Sequence, residues 1–211
     1  MFIISAEEFS LWKEKQILKG GDSQSLNLLI DLLGGLSKKE FNLSKIKSEK
    51  EVNLKIDLDI LESFWDKHIE TAIPIQYLSG ISYWRDLKLE VSNKVLIPRT
   101  ETELVIEIIS ERFQNKKENL TFVDLGTGSG AICIALALAN PNWKGIATDI
   151  DKNAIEIASR NFTKNSNQSN LEFYNGNWWN PLKNFKGEID LAIANPPYIL
   201  SLIHISEPTR P

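Results

Sequence analysis

The first part of the chain, residues 1–73, has the apolar spacing of short helices. One stripe comprises Leu26, Leu29, Ile30 and Leu33, the i, i+3, i+4, i+7 pattern of a single buried helix face. A second stripe, ended by Pro74, comprises Leu61, Phe64, Trp65, His68, Ile69 and Ala72. These patterns predict a small all-helical domain over residues 1–73.

The pattern changes after Pro74. Leu87, Leu89 and Val91 alternate with polar residues, and a second apolar run follows at 95–97. A polar interruption between two short apolar runs predicts a β-hairpin. We therefore interpret residues 74–98 as a linker that contains a hairpin.

From Leu120 onward, short apolar runs alternate with helical stripes. Strands are predicted at 121–125, 145–150, 171–174 and 189–194, and helices at 131–139 and 154–165. Apolar strands that alternate with helices are typical of a parallel sheet covered on both faces. Residues 99–199 are therefore predicted to form a Rossmann-like α/β domain.

Composition and charge narrow the function classes. The 211 residues have a net charge of -4 and an isoelectric point of about 5.4, whereas proteins that grip duplex nucleic acid usually concentrate positive charge. No apolar run is long enough to span a membrane, and the acidic start of the chain does not resemble a signal peptide. No Cys, His, Asp and Glu cluster has metal-ligand spacing. We expect a cytoplasmic protein without a metal.

The first candidate site is the glycine loop Gly126, Thr127, Gly128, Ser129 and Gly130, which follows a predicted strand. Glycines are needed where a chain turns from strand to helix and a ligand approaches its backbone. A tight turn without a ligand remains the alternative. Asp149, at the end of the next strand, is placed to accept hydrogen bonds from ribose hydroxyls, which favours a nucleoside cofactor of either the nicotinamide or the S-adenosylmethionine type.

The second candidate site is Asn195-Pro196-Pro197-Tyr198, directly after the last predicted strand. The prolines fix the backbone and remove N–H donors, so that carbonyl oxygens can face a substrate. Asn195 adds a side-chain acceptor, and Tyr198 offers a flat face for stacking. Two acceptors that hold a planar N–H₂ group suit methylation of an amide or amino nitrogen, whose lone pair is delocalised.

With these motifs, the chain resembles the protein-glutamine N5-methyltransferases of peptide-chain release factors, from about the first helix to Ile199. The resemblance rests on the motifs 74–80, 97–103, 124–132 and 195–198, of which 97–103 is the most family-specific. It implies methyl transfer from S-adenosylmethionine to the glutamine of the release factor's Gly-Gly-Gln loop. It also implies that the helical module recognises this protein substrate, with a monomeric enzyme and no direct nucleic-acid contact.

The resemblance implies a role for each matching residue. Gly126 to Gly130 would surround the methionine part of the cofactor, Asp149 would hold the ribose, and Trp178 would lie beside the adenine. Residues 195–198 would bind the substrate glutamine. Asn177 departs from the family, in which many members have Asp at this position. Which of Trp178 and Trp179 contacts adenine is left open.

The resemblance ends at Ile199, and residues 200–211 look like a translated sequencing-library adapter. We therefore expect a C-terminally truncated chain with a non-native tail and no activity of its own. Two other functions stay open: a methyltransferase acting on amino groups of DNA or RNA bases, and an inactive fragment that only binds its partner.

Overall fold

The computed structural model of the protein describes residues 1–46, 50–113 and 119–196. Backbone contacts divide the chain into two compact units, the first covering Met1–Asn93 and the second starting at Lys94. The domain boundaries predicted after residues 73 and 98 are finer than this division and remain predictions.

The first unit is mainly helical, as predicted. Its helices are α1 (Ala6–Lys19), α2 (Ser23–Leu29), α3 (Lys38–Ile46), α4 (Leu58–Thr71) and α5 (Ile75–Ser79). Phe9, Leu26, Leu61 and Trp65 are fully buried in one core. Burial of such side chains is the main force that holds short helices together.

Two details of this unit correct the sequence analysis. It is not all-helical, because β1 (Phe2–Ser5) pairs antiparallel with β2 (Glu51–Leu54). In addition, a π-helical turn at Ile30–Gly34 follows α2, so that Leu32 is buried, while the predicted Leu33 packs only partly buried against the same core. The wider π turn shifts the register of a helix face, which the ideal 3.6-residue period does not anticipate.

The hairpin exists and contains the predicted strand that starts at Leu87, but the partner of this strand is not the predicted one. β3 (Ile81–Trp84) pairs with β4 (Leu87–Glu90), and residues 95–97 form no strand. Arg85, with φ +49°, occupies the two-residue turn between them. Ser82 is buried in β3, so the inward positions of this strand are not all apolar and the alternation was missed.

The second unit has the predicted α/β alternation. A 3₁₀ turn (Thr100–Thr102) leads into α6 (Glu103–Phe113), and the described elements that follow are β5 (Thr121–Leu125), α7 (Ala131–Ala139), β6 (Lys144–Asp149), α8 (Lys152–Asn165), β7 (Leu171–Asn175), a 3₁₀ segment (Asn180–Phe185) and β8 (Leu191–Ala194). The predicted tail at 200–211 lies outside the described residues.

The four strands β5 to β8 form a parallel sheet in the order β7-β6-β5-β8. The chain builds outward from β5 through β6 to β7, then returns to place β8 on the other side of β5. Strand order therefore reverses at β5. In open α/β sheets, ligands bind beyond the carboxyl ends of the strands at such a reversal.

Strand β5 is buried on both faces, as a central strand of a parallel sheet should be. Val123 and Leu125 share a core with Ile146 and with Leu182 of the 3₁₀ segment. On the other face, the side chain of Asp124 contacts α7. Within the described sheet, β8 is an edge strand, and its residues Ala192 and Ala194 are exposed.

Candidate active site

The candidate site lies where three strands end at one edge of the sheet. Leu125 of β5 pairs with both Thr148 of β6 and Ala194 of β8. The next residues along each chain segment are Gly126, Asp149 and Asn195. The sheet register therefore brings the three predicted motifs to the same level, although they are far apart in sequence.

The glycine loop has an unusual backbone, which the glycines allow. Gly126, Gly128 and Gly130 have φ values of +77°, +56° and +84°. A Cβ atom built on Gly126 or Gly128 would meet no atom within 4 Å, so this surface of the loop is open to a ligand. A Cβ atom on Gly130 would lie 3.1 Å from the Ala158 Cβ atom, so Gly130 serves helix packing.

The side chains between the glycines point away from this open surface. Thr127 and Ser129 are both buried. The carbonyl oxygen of Ser129 accepts a hydrogen bond of 2.9 Å from the Asn161 side chain of α8. The groups that the loop offers to a ligand are therefore mainly its backbone atoms.

Asp149 holds the loop from the β6 side. Its Oδ2 accepts a hydrogen bond of 2.9 Å from the Gly128 N–H, and its Oδ1 accepts one of 2.9 Å from the Asp151 N–H. Each carboxylate oxygen can accept a second hydrogen bond. The side chain is partly exposed, so it retains acceptor capacity for a ligand's hydroxyl groups.

A second carboxylate, that of Asp124 in β5, also binds the glycine loop. Its Oδ2 accepts a hydrogen bond of 2.7 Å from the Thr127 hydroxyl, and the backbone N–H of Cys133 in the first turn of α7 also donates to the carboxylate. Asp124 is only 1% exposed. Burial raises its pKa to about 6, against the lowering effect of these hydrogen bonds.

Cys133 belongs to the same buried cluster and is not a nucleophile. Its Sγ donates to the Gly130 carbonyl at 3.2 Å and lies 3.1 Å from the Thr127 hydroxyl oxygen. Burial raises the pKa of this thiol well above its usual value, so it stays protonated. The cluster ties the glycine loop to the start of α7.

After β7 the chain makes a tight turn that carries Trp178. The Asn180 N–H donates to the Asn177 carbonyl at 3.0 Å, which places Trp178 at the second position of a four-residue turn. Trp178 has φ +48°, a conformation that bulky residues rarely adopt. Its side chain is 50% exposed, so core packing does not explain it.

Asn195 follows β8 and contacts the segment before α6. Its Nδ2 donates a hydrogen bond of 3.3 Å to the Thr102 hydroxyl oxygen. Asn195 and Pro196 are exposed. Pro197 and Tyr198, the other half of the predicted motif, lie outside the described residues.

Other features share no residue with this edge. A cavity of about 570 Å³ is lined by Trp179, Leu182, Phe185 and Leu191 and shares no residue with the glycine loop, Asp149 or Asn195. His68, in the first unit, bonds through Nδ1 to the Ile73 carbonyl at 2.7 Å.

Over the described ranges, no group of three His, Cys, Asp or Glu side chains is placed to hold a metal ion. No described helix has the length and hydropathy needed to cross a membrane.

Sequence reasoning assigned no role to two residues of this edge, Asp124 and Thr102. Asp124 is the only charged residue of β5, and a charge within a buried strand is a signal of a specific partner. Thr102 lies in the motif 97–103, but its link to Asn195 spans 93 positions in sequence. No local pattern reveals such a contact.

Comparison with known proteins found a matching family model and several relatives. A family model described as "Methyltransferase small domain" matches residues 100–204. The N-terminal domain of human METTL16 has a TM-score of 0.46 and 22% identity over 53% of this chain and 46% of its own, a likeness too weak to bear on function.

Three relatives have a higher sequence identity to this chain. A release factor glutamine methyltransferase of Prochlorococcus marinus is 39% identical over 204 residues, which are 96% of this chain and 69% of that protein. One of Synechocystis is 35% identical, over 93% of this chain and 68% of its own length. One of Lactococcus lactis is 44% identical over 133 residues, 63% of this chain and 47% of its own length. The chain belongs to the release factor glutamine methyltransferase family.

Proposed function

We propose that this protein transfers a methyl group from S-adenosylmethionine to the side-chain amide nitrogen of the glutamine in the Gly-Gly-Gln loop of peptide-chain release factors. The observation that carries this proposal is the β5–β8 register, which puts Asn195 beside the open glycine loop. Relatives named for this activity support the choice of substrate.

The residues at the sheet edge fit S-adenosylmethionine. Gly126 and Gly128 leave a surface on which no side chain stands, and a ligand can approach their backbone there. Asp149 would accept hydrogen bonds from the ribose, and Trp178 would present its ring to the adenine. When bound, the cofactor supplies an electrophilic methyl group carried on a sulfonium.

In this reaction the protein has to hold and polarise the glutamine amide nitrogen, which is a poor nucleophile. The amide nitrogen would gain positive charge as its bond to the methyl carbon forms and the methyl–sulfur bond breaks, which leaves a neutral thioether. The nitrogen would then release a proton to water. Acceptors on its N–H groups stabilise that charge and fix the nitrogen's orientation. Asn195 would supply one acceptor through Oδ1, and the carbonyl groups of the 195–198 motif would supply others.

Four narrower properties belong to the same proposal. The enzyme acts as a monomer in the cytoplasm, takes no nucleic-acid substrate, and recognises the release factor through residues 1–73. The net charge of -4 supports the exclusion of nucleic acid. Elution volume on gel filtration tests the monomer, and loss of release-factor binding without residues 1–73 tests the recognition module.

Mass spectrometry gives the direct test of the reaction. The protein, completed to the length of the relatives it matches, is incubated with S-adenosylmethionine and a release factor, and the peptide that contains Gly-Gly-Gln is analysed for one added methyl group. The matched control is a release factor whose glutamine is replaced by glutamate, which offers no amide nitrogen. Methylation of DNA or RNA instead of the glutamine peptide would contradict the proposal.

A further inference from the structure

The hydrogen bond between Asn195 and Thr102 joins the two segments that flank the candidate site. Asn195 is the first residue after β8, and Thr102 is the last residue of the 3₁₀ turn before α6. The bond runs from Asn195 Nδ2 to Thr102 Oγ1 at 3.3 Å. It is the side-chain contact that the structure gives Asn195.

The contact shows which end of the Asn195 amide faces Thr102 in this structure. A primary amide has a donor end and an acceptor end, and a rotation by half a turn about its last bond exchanges them. Asn195 is exposed, so burial does not select one orientation. A hydroxyl can accept from Nδ2 or donate to Oδ1. In this structure Thr102 accepts from Nδ2, so that the acceptor Oδ1 points away from Thr102.

Thr102 is well placed to act as an anchor because its own backbone is fixed. Its N–H donates to the Arg99 carbonyl at 3.1 Å, and it is partly buried. The next residue, Glu103, starts α6, whose residues Ile106 and Ile109 are buried. The hydroxyl therefore sits on an element that the core holds in place.

We infer that Thr102 is a positioning residue for methyl transfer: its hydroxyl orients the Asn195 amide so that Oδ1 accepts a hydrogen bond from the substrate amide. The inference rests on the proposed function, since it assumes that the substrate offers an N–H group there. It predicts a loss in the rate of transfer and no loss in cofactor affinity, because Thr102 acts through Asn195.

The test uses three variants of the whole chain. Thr102→Val removes the acceptor at nearly constant volume, Thr102→Ser retains it, and Thr100→Val changes a hydroxyl of the same turn that makes no contact with Asn195. The first readout is the NMR signal of the Asn195 side-chain N–H₂ group, assigned by its disappearance in Asn195→Ala. This readout needs neither substrate nor turnover, so it remains decisive even if the proposed reaction is not observed.

Thr102→Val is expected to shift the Asn195 N–H₂ signal and to speed its exchange, while Thr102→Ser and Thr100→Val leave it close to wild type. An unchanged signal in Thr102→Val overturns the contact. A change of equal size in Thr100→Val assigns it to a general loosening of the turn and also overturns the inference.

The second readout is the single-turnover rate of glutamine methylation. Thr102→Val is expected to lower the rate about 3- to 10-fold, the range of one hydrogen bond, with unchanged S-adenosylmethionine affinity and near-normal rates for Thr102→Ser. In the Asn195→Ala background, Thr102→Val should cause no further loss, because the two residues act as one unit. An additive loss, or a parallel loss of cofactor affinity, assigns Thr102 a merely structural role. This readout uses the protein completed to the length of the relatives it matches, and absence of methylation by its unaltered form counts against the proposed function instead.

Discussion

The Asp149 carboxylate accepts a hydrogen bond of 2.9 Å from the backbone N–H of Gly128, the middle glycine of the loop. The acid that would hold the ribose thus also shapes the loop that would hold the rest of the cofactor. The two parts of the proposed cofactor site are therefore one hydrogen-bonded unit.

Asp149→Ala is expected to weaken S-adenosylmethionine binding by about 1–3 kcal/mol, because ribose hydroxyls and the Gly128 N–H would both lose a charged acceptor. Titration calorimetry measures the affinity, and hydrogen exchange at Gly128 reports on the loop. Asp149→Asn, which retains one acceptor oxygen, is the matched control and should lose less. Unchanged affinity in Asp149→Ala would mean that the ribose is held elsewhere.

Asn195→Ala is expected to lower the rate of glutamine methylation by about 10²–10³, because a preorganised acceptor at the developing charge would be lost. S-adenosylmethionine affinity should stay within a few-fold. Single-turnover kinetics and calorimetry measure the two quantities. Near-normal turnover would refute the role of Asn195.

Two glycines of the same loop should respond differently to alanine. Gly130→Ala is expected to lower the free energy of unfolding by about 3 kcal/mol, because it combines a positive φ with overlap against Ala158 and Ile134. Gly128→Ala has the backbone strain alone and should cost about 1–2 kcal/mol. Urea unfolding measures both, and equal losses would show that close packing at Gly130 does not matter.

Asp124 should make the stability of the protein depend on pH. Its pKa is about 6 in the native state and 3.8 in the reference state, so the native state binds the proton more readily than the unfolded chain. The resulting stabilisation is fully present below about pH 3.8 and is lost as the pH rises through about 6. Between pH 5 and 7.5 the loss amounts to about 1 kcal/mol.

The measurement is urea unfolding at both pH values for wild type and for Asp124→Asn, which has no titrating group at this position. Other carboxylates, such as Asp151 and Glu172, have lowered pKa values and act in the opposite direction. They are present in both proteins and cancel in the difference. An identical pH dependence of the two proteins would show that Asp124 does not titrate in this range.

Trp178 should be replaceable without loss of stability. In Trp178→Gly, relief of the positive φ offsets the entropy of glycine, and the half-exposed ring loses little packing, so the free energy of unfolding should change by less than about 1 kcal/mol. Loss of ring stacking on adenine should weaken cofactor binding by about 0.5–1.5 kcal/mol. Trp179→Ala, at a neighbour that lines the separate cavity, should leave cofactor affinity unchanged. The reverse result would assign the adenine to Trp179.

Much of the second unit could be predicted from local pattern. The predicted strands at 121–125 and 171–174 and the predicted helices at 131–139 and 154–165 agree with the observed elements to within a few residues. Apolar runs and helical stripes are set by neighbours in sequence, so they can be read directly. The glycine loop and Asp149 could also be proposed as a candidate site from the sequence, because that proposal depends only on residue type and on position relative to a strand.

Contacts between distant segments were decided only by the tertiary structure. Three strand pairings are of this kind: β1 with β2, β3 with β4, and β5 with β8. In each pair, the local sequence pattern of one strand does not indicate which strand is its partner. The same holds for the Thr102–Asn195 bond and for the burial of Asp124 under the loop. Sequence alone determined which residues are candidates for the chemistry. The register of the sheet decided which of them lie at the same edge, because strand pairing and burial are properties of the whole packed unit.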